Sequence, residues 1–227
     1  MLKNYEINEL GKEESWRMFR IIGELVEGFD HLGDIEPAVT IYGSARLKPD
    51  NELYLQVKET ARLLGEIGFS IMTGGGPGVM EAANRGAAEA GARSIGLNIS
   101  LPEEQAGNAY TNLTITFHHF FVRKVMLVKY ATAFVIMPGG MGTLDELTEV
   151  ITLIQTEKIK PFPVILYSSD YWHGFLDWLE KTVLAHGNIS VEDFELLRVF
   201  DTPKEVAEAV WKWYKSHEIT GRKALQV

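Results

Sequence analysis

The feature that most limits what this chain can fold into is a regular alternation of short apolar runs with helix-patterned segments. AVTIYGSA (38–45), FSIMTGGG (69–76), SIGLNIS (94–100), LTITFH (113–118), AFVIM (133–137) and FPVILY (162–167) read as strands or as strands running into turns. Several are almost continuous in apolar residues, the pattern of strands buried on both faces. Between them lie segments of helical period. One covers about 52–67, and VMEAANRGAAEAG (79–91) stops at a glycine. FVRKVMLVKYA (121–131) is short, and GTLDELTEVITLIQTEK (142–158) sets Leu144, Leu147, Ile151 and Ile154 along one stripe. YWHGFLDWLEKTVLAHG (171–187) reads as a helix ending at Gly187, LLRVF (196–200) as an edge strand, and TPKEVAEAVWKWYK (202–215) as a last helix with Thr202 as N-cap. Strand–helix alternation of this kind predicts an α/β chain: a Rossmann-like three-layer fold with a mostly parallel sheet covered by helices on both faces. Ahead of the sheet, residues 13–29 carry Trp16, Phe19, Ile22, Val26 and Phe29 at spacings of three and four, which predicts a helix burying that face. Neither a repeat nor a linker divides residues 1–227, so one domain is expected.

Charge and cysteine content narrow the partners. A formal net charge of −9 gives no general attraction to a phosphate polymer or an anionic lipid surface. Polymeric nucleic acid and membranes are therefore not expected partners. The absence of cysteine removes disulfides, thiolate nucleophiles and Cys-based metal sites. The N-terminal residues MLKNYEINELGKEESW lack the apolar core of a signal peptide, and no apolar run reaches the roughly 20 residues of a membrane helix. A cytoplasmic protein is expected.

Folds of this class bind ligands where loops leave the carboxyl ends of the strands. Three strand ends have the right composition: YGSAR, TGGGPGVME and MPGGMGT. In the last, Gly139, Gly140 and Gly142 let backbone amides approach an anion, and the helix that follows begins with unpaired N–H groups. Thr143 can cap that helix or donate to a phosphate. Gly75, Gly76 and Gly78 form a second such loop. Single glycine pairs often make only tight turns, but two clusters in one α/β chain favour phosphate binding. GGMGTL lacks the Lys-Ser/Thr of a P-loop, and TGGGPG is not G-x-G-x-x-G, which disfavours ATP hydrolysis and hydride transfer. LPEEQAGNAY (101–110) has no periodicity and reads as a covering loop.

The run PGGMGTLDE (138–146), with TGGGPGVMEAANRGA upstream and the pair Arg123 and Lys124 between them, resembles the LOG (Lonely Guy) family of cytokinin riboside 5′-monophosphate phosphoribohydrolases. The likeness spans most of residues 38–185, in motif order and spacing. Related sequences are often labelled lysine decarboxylases, yet no pyridoxal phosphate setting surrounds any particular lysine here. The resemblance implies cleavage of the N-glycosidic bond of a nucleoside 5′-monophosphate, with AMP or an N6-substituted AMP as candidates, to a free base and ribose 5-phosphate. It also implies a metal-free and cofactor-free site and a homodimer. Its catalytic pair falls on Arg123 and Glu146. Its substrate contacts fall on Lys124, on Gly140, Met141, Gly142, Thr143, Leu144, Asp145 and Glu146, on Thr152 and on Gln105.

The residues read by themselves agree on one carboxylate. Thr143 and Glu146 are three apart on a helix and share a face, so a phosphate at the loop leaves Glu146 about one turn inward, near the sugar. There it can stabilise an oxocarbenium-like cation or activate water. The plainer reading of Glu146 is a carboxylate favouring a helix dipole, and of Arg123 a surface ion pair. Glu81 can bond ribose or base, or favour its own helix dipole. Ser44 can donate to phosphate or shape a turn. His118 and His119 raise the idea of a metal, but strand neighbours face opposite ways and no further ligand spacing completes a site. Trp172, Trp178, Trp211 and Trp213 fit helical patterns that supply core or subunit contacts. A rival from another class is a non-catalytic binding protein, a nucleotide sensor or a molybdenum-cofactor carrier. Such a protein needs the phosphate cradle but no carboxylate beside the sugar.

Overall fold

The computed structural model describes residues 14–100 and 107–224. Gln105, most of the expected covering loop and most of the N-terminal stretch judged against signal peptides lie outside them. The elements run α1 (Glu14–Leu32), β1 (Ala38–Tyr42), α2 (Glu52–Glu66), β2 (Ser70–Thr73), α3 (Val79–Glu89), β3 (Ser94–Ile99), β4 (Leu113–Phe117), α4 (Phe120–Lys129) and β5 (Ala131–Ile136). They continue with α5 (Met141–Gln155), β6 (Val164–Tyr167), α6 (Ser169–Trp178), α7 (Val191–Phe194), β7 (Leu197–Phe200) and α8 (Pro203–Ala224). After α6 the chain widens into π-helical turns over Leu179–Leu184, where the sequence pattern suggests one uninterrupted helix.

The seven strands form one sheet in the order β4-β3-β2-β1-β5-β6-β7, and every pairing is parallel. The chain builds outward from β1 to β4, returns to lay β5 against the other side of β1, and builds outward again. This reversal opens a crevice at the carboxyl ends of β1 and β5. Burial explains why these strands read as apolar runs: all five residues of β1 are buried. Val39 and Ile41 face a core shared with Tyr54, Leu64, Val79, Ala83 and Val210 of α2, α3 and α8. Ala38 and Tyr42 face a second core with Leu32, Met126, Leu147, Val150 and Trp172 of α1, α4, α5 and α6. The two cores are the two faces of a three-layer sandwich.

The first helix corrects one expectation. Trp16, Phe19, Ile22, Val26 and Phe29 do not turn inward; they are 68%, 66%, 50%, 58% and 43% exposed. Glu24, Gly28 and Leu32 are buried instead. Period reveals which residues share a face, not which face meets the sheet. Here a close helix crossing decides it, because a Cβ on Gly28 would lie 2.8 Å from Met126 of α4.

Candidate active site

A cavity of about 810 Å³ lies over the crevice, walled by the ends of β1, β2, β3 and β5 and by Tyr171 of α6. The β5–α5 turn forms one end of it. Helix α5 starts at Met141 with Gly140 as N-cap and no side-chain cap, so its first N–H groups stay open to a ligand. Gly140 and Gly142 have nothing within 4 Å of where a Cβ would stand. Gly139 is glycine for an internal reason, since a Cβ there would sit 2.1 Å from Thr143 Oγ1. Thr143 is therefore not the helix cap that was one of its expected roles. It lies within the first turn, 4% exposed, and lines the cavity against Gly139.

Arg123 projects from the second turn of α4 and Glu146 from the second turn of α5, and both line the cavity. Arg123 Nη2 lies 3.6 Å from Glu146 Oε1, and the side chains are only 12% and 16% exposed. Burial pushes the Glu146 carboxyl from its ordinary value up to about 7, with the attraction of Arg123 opposing only in part. Burial also pulls Arg123 below the usual guanidinium value, while the Glu146 charge and Tyr42 work the other way; it stays a cation. Arg123 Nε is enclosed without a hydrogen-bond partner among the described residues. The guanidinium carbon stands 5.7 Å from the Phe120 ring centroid.

The remaining expected site residues divide. Ser44, Gly75, Gly76, Gly139, Gly140, Met141, Gly142 and Leu144 line the cavity with Arg123, Thr143 and Glu146. Ser44 Oγ accepts from the Arg46 N–H at 3.1 Å, and the Ser44 N–H donates to Pro138 O at 3.1 Å, tying the β1 and β5 loops together. Gly78, Glu81, Lys124, Asp145 and Thr152 are not cavity residues. Glu81 accepts from Tyr54 Oη at 2.8 Å. Lys124 pairs with Asp145 at 2.9 Å and Glu149 at 3.2 Å. Burial alone would lower the Lys124 ammonium, but these two carboxylates hold it above its ordinary value. Thr152 Oγ1 donates back to Thr148 O within α5.

Fold contacts add residues that the motifs do not mark. Tyr171 Oη donates to Gly139 O at 2.5 Å, fixing the plane of a peptide in the β5–α5 turn. Arg46 lines the cavity and forms no ion pair with the described residues. It closes the YGSAR run, which was the signal for it. Tyr42 and Asn98 complete the polar wall. The Tyr42 phenol is held well above its usual range by burial, with the Glu146 charge adding. Asn98 Oδ1 is enclosed with no partner among the described residues. The two histidines diverge: His119 is buried against Glu24 and His118 is exposed.

A family profile described as "Possible lysine decarboxylase" matches residues 80–210. The cytokinin riboside 5′-monophosphate phosphoribohydrolase LOG3 of Arabidopsis thaliana is 31% identical over 148 residues, 64% of this chain and 67% of that one. A pyrimidine/purine nucleotide 5′-monophosphate nucleosidase of Escherichia coli (strain K12) is 31% identical over 181 residues, 72% of this chain but only 39% of the longer relative. Among solved structures, the molybdenum cofactor binding protein of Rippkaea orientalis superposes with a TM-score of 0.57 at 21% identity, covering 77% of this chain and 94% of that one. At that identity the likeness is one of fold. Matched over more than half its length by the profile, and over two thirds of a plant relative at 31% identity, the chain belongs to the LOG family, the group that carries the lysine decarboxylase label.

Proposed function

We propose that the protein hydrolyses the N-glycosidic bond of a nucleoside 5′-monophosphate, AMP or an N6-substituted AMP, to a free base and ribose 5-phosphate. The 5′-phosphate docks on the open first turn of α5, with Arg46 and Thr143 as further donors. The ribose then lies over Arg123 and Glu146. As the C1′–N bond breaks, positive charge develops at C1′ and the ring oxygen; the Glu146 carboxylate stabilises it and takes a proton from the incoming water. Oxygen of water bonds C1′, the base leaves with a proton taken from solvent, and Glu146 returns its proton to solvent, so one water is consumed in all. Arg123 orients Glu146 and holds the ribose hydroxyls, since a guanidinium is too weak an acid to relay protons. The observation that carries this reading is the half-enclosed Arg123–Glu146 pair beside an uncapped helix start, with the carboxyl poised near 7. Relatives named as 5′-monophosphate phosphoribohydrolases and a 5′-monophosphate nucleosidase support the same bond and substrate class. Incubation of purified protein with nucleoside monophosphates and their nucleosides, read by chromatography for free base, tests it. Base release from the monophosphate far above that from the nucleoside is expected, without added metal. Equal release would remove the phosphate from the mechanism, and none would favour a binding protein of the same fold.

We further propose a single-domain, cytoplasmic homodimer. The exposed apolar face of α1 continues onto Phe120, Phe121 and Val125 of α4, 54%, 53% and 46% exposed, a surface suited to a second copy. No described helix is long and apolar enough to cross a membrane.

A further inference from the structure

Glu24 is a buried carboxylate on a helix that leaves its aromatic residues in solvent. It has no place in the hydrolysis described above. Its side chain, 8% exposed, reaches from α1 to the start of α4. Oε1 accepts from the His118 N–H at 3.1 Å and Oε2 from the His119 N–H at 3.3 Å, while His119 Nδ1 lies 3.1 Å from Oε1. Helix α4 has no cap of its own: His119 is the N-cap residue and its side chain makes no capping bond. A carboxylate borrowed from another helix thus takes up N–H groups at the α4 entry, where the helix dipole favours a negative charge.

What α4 carries gives this contact its consequence. The Arg123 N–H donates to His119 O at 3.2 Å, so Arg123 stands one turn beyond the residue that Glu24 holds. Its guanidinium is enclosed, with an unpartnered Nε and a 3.6 Å separation from Glu146. A shift of the α4 entry alters that separation directly, because a buried side chain on a short helix has no room to compensate. Gly28 packing on Met126, Lys129 Nζ 5.5 Å from the Phe29 ring centroid, and the pairing of Glu24 with His118 and His119 join α1 to α4. A carboxylate turned inward on a helix is an exception to ordinary burial, the kind found where a site must be held in place. We propose that Glu24 is a positioning residue for Arg123, setting the guanidinium against Glu146 through the entry of α4.

This inference rests on the assignment of Arg123 under Proposed function, and a double-mutant cycle separates the two. Wild type, Glu24→Gln, Arg123→Ala and the double variant are compared for base release from AMP and for ribose 5-phosphate affinity, with melts to establish folding. Glu24→Gln is expected to lower kcat about 10-fold or more and to weaken ribose 5-phosphate and AMP about 5-fold, because Arg123 also holds the ribose hydroxyls, and to cost less than about 2-fold in either once Arg123 is alanine. The same loss in both backgrounds would overturn the inference, because a structural defect adds and a positioning defect does not. If wild type releases no base, the hydrolase reading fails, and the cycle is read in AMP affinity by calorimetry; additive losses there overturn the inference equally. Should Glu24→Gln not fold, Glu24→Asp, which keeps the charge and shortens the reach, enters the same cycle.

Discussion

The two glycine loops look alike in the sequence and differ in what their glycines face. In the β2–α3 loop the glycines fit protein against protein. Gly75 has φ +72°, and a Cβ there would meet Asn98 Oδ1 at 1.7 Å; Gly78 has φ +71° and would meet Ser44 O at 2.4 Å. A buried network holds the same loop: the Gly75 N–H donates to Thr73 Oγ1 at 2.9 Å, and Asn108 Nδ2 donates to Gly75 O and Gly76 O at 3.1 Å. In the β5–α5 loop, Gly140 and Gly142 face open space and the helix start has no side-chain cap. Their downstream carboxylates divide the same way, Glu81 bonded to Tyr54 and Glu146 facing the cavity. A glycine cluster therefore marks either architecture or a ligand, and what lies above each glycine tells which. The first loop is a wall, the second a cradle.

That contrast is easiest to break at Gly78. Gly78→Ala forces a side chain onto a positive φ and into the backbone of Ser44 and Ala45 after β1, and is expected to cost roughly 3 kcal/mol or more of stability, seen as a lowered Tm. A variant melting like wild type would mean the first loop is as open as the second. The carboxylates sharpen the comparison through pH. Glu146 titrates higher in the fold than its ordinary value, so its contribution to stability is full below about pH 4.5 and lost as pH rises through about 7. Glu146→Gln lacks that loss: its stability gain over wild type should grow from near zero at low pH to at most on the order of 3 kcal/mol above pH 7. Glu81→Gln, which disturbs the bond from Tyr54, should instead destabilise by about 1 kcal/mol. Melts across pH check both signs.

Smaller effects test the cradle itself. Gly142 lies inside α5 with no positive φ, so Gly142→Val acts by crowding the ligand and not by straining the backbone. Nucleotide affinity should fall about 30-fold, roughly 2 kcal/mol, while stability changes by no more than about 1 kcal/mol. Calorimetry beside a melt measures both, and unchanged affinity would move the phosphate elsewhere. Tyr171→Phe frees the Gly139 carbonyl and should raise KM about 5-fold with kcat nearly constant. An unaltered KM would reduce that hydrogen bond to packing.

Much of this was legible in the residues. Apolar runs mark the inner strands because both sheet faces are covered there; β4 at one edge alternates, with Thr114 and Thr116 exposed, and LLRVF at the other edge takes its place as β7. PGGMGTLDE shows both the turn and the carboxylate one turn inward, since spacing along a helix is local geometry. Spacing alone points to the wrong inward face of α1, because a glycine contact and a buried carboxylate outweigh five apolar side chains there. Nor does it show that Tyr171, Arg46 and Asn98 meet the same cavity, which depends on how distant strands and helices are laid together. Lys124 and Asp145 illustrate the converse: neighbours of Arg123 and Glu146 in sequence, they lie outside the cavity and pair with each other.

In the proposed reaction the charge of Glu146, and not merely its presence at a helix start, drives cleavage. Glu146→Gln keeps size and hydrogen-bonding reach and removes the charge. The decisive measurement is kcat for base release from AMP by wild type and Glu146→Gln side by side at pH 8, with AMP affinity of each. Expected for Glu146→Gln is a kcat lower by at least about 100-fold, about 3 kcal/mol of barrier, with affinity changed only a few-fold. A Glu146→Gln enzyme that turns over at near wild-type kcat would contradict it.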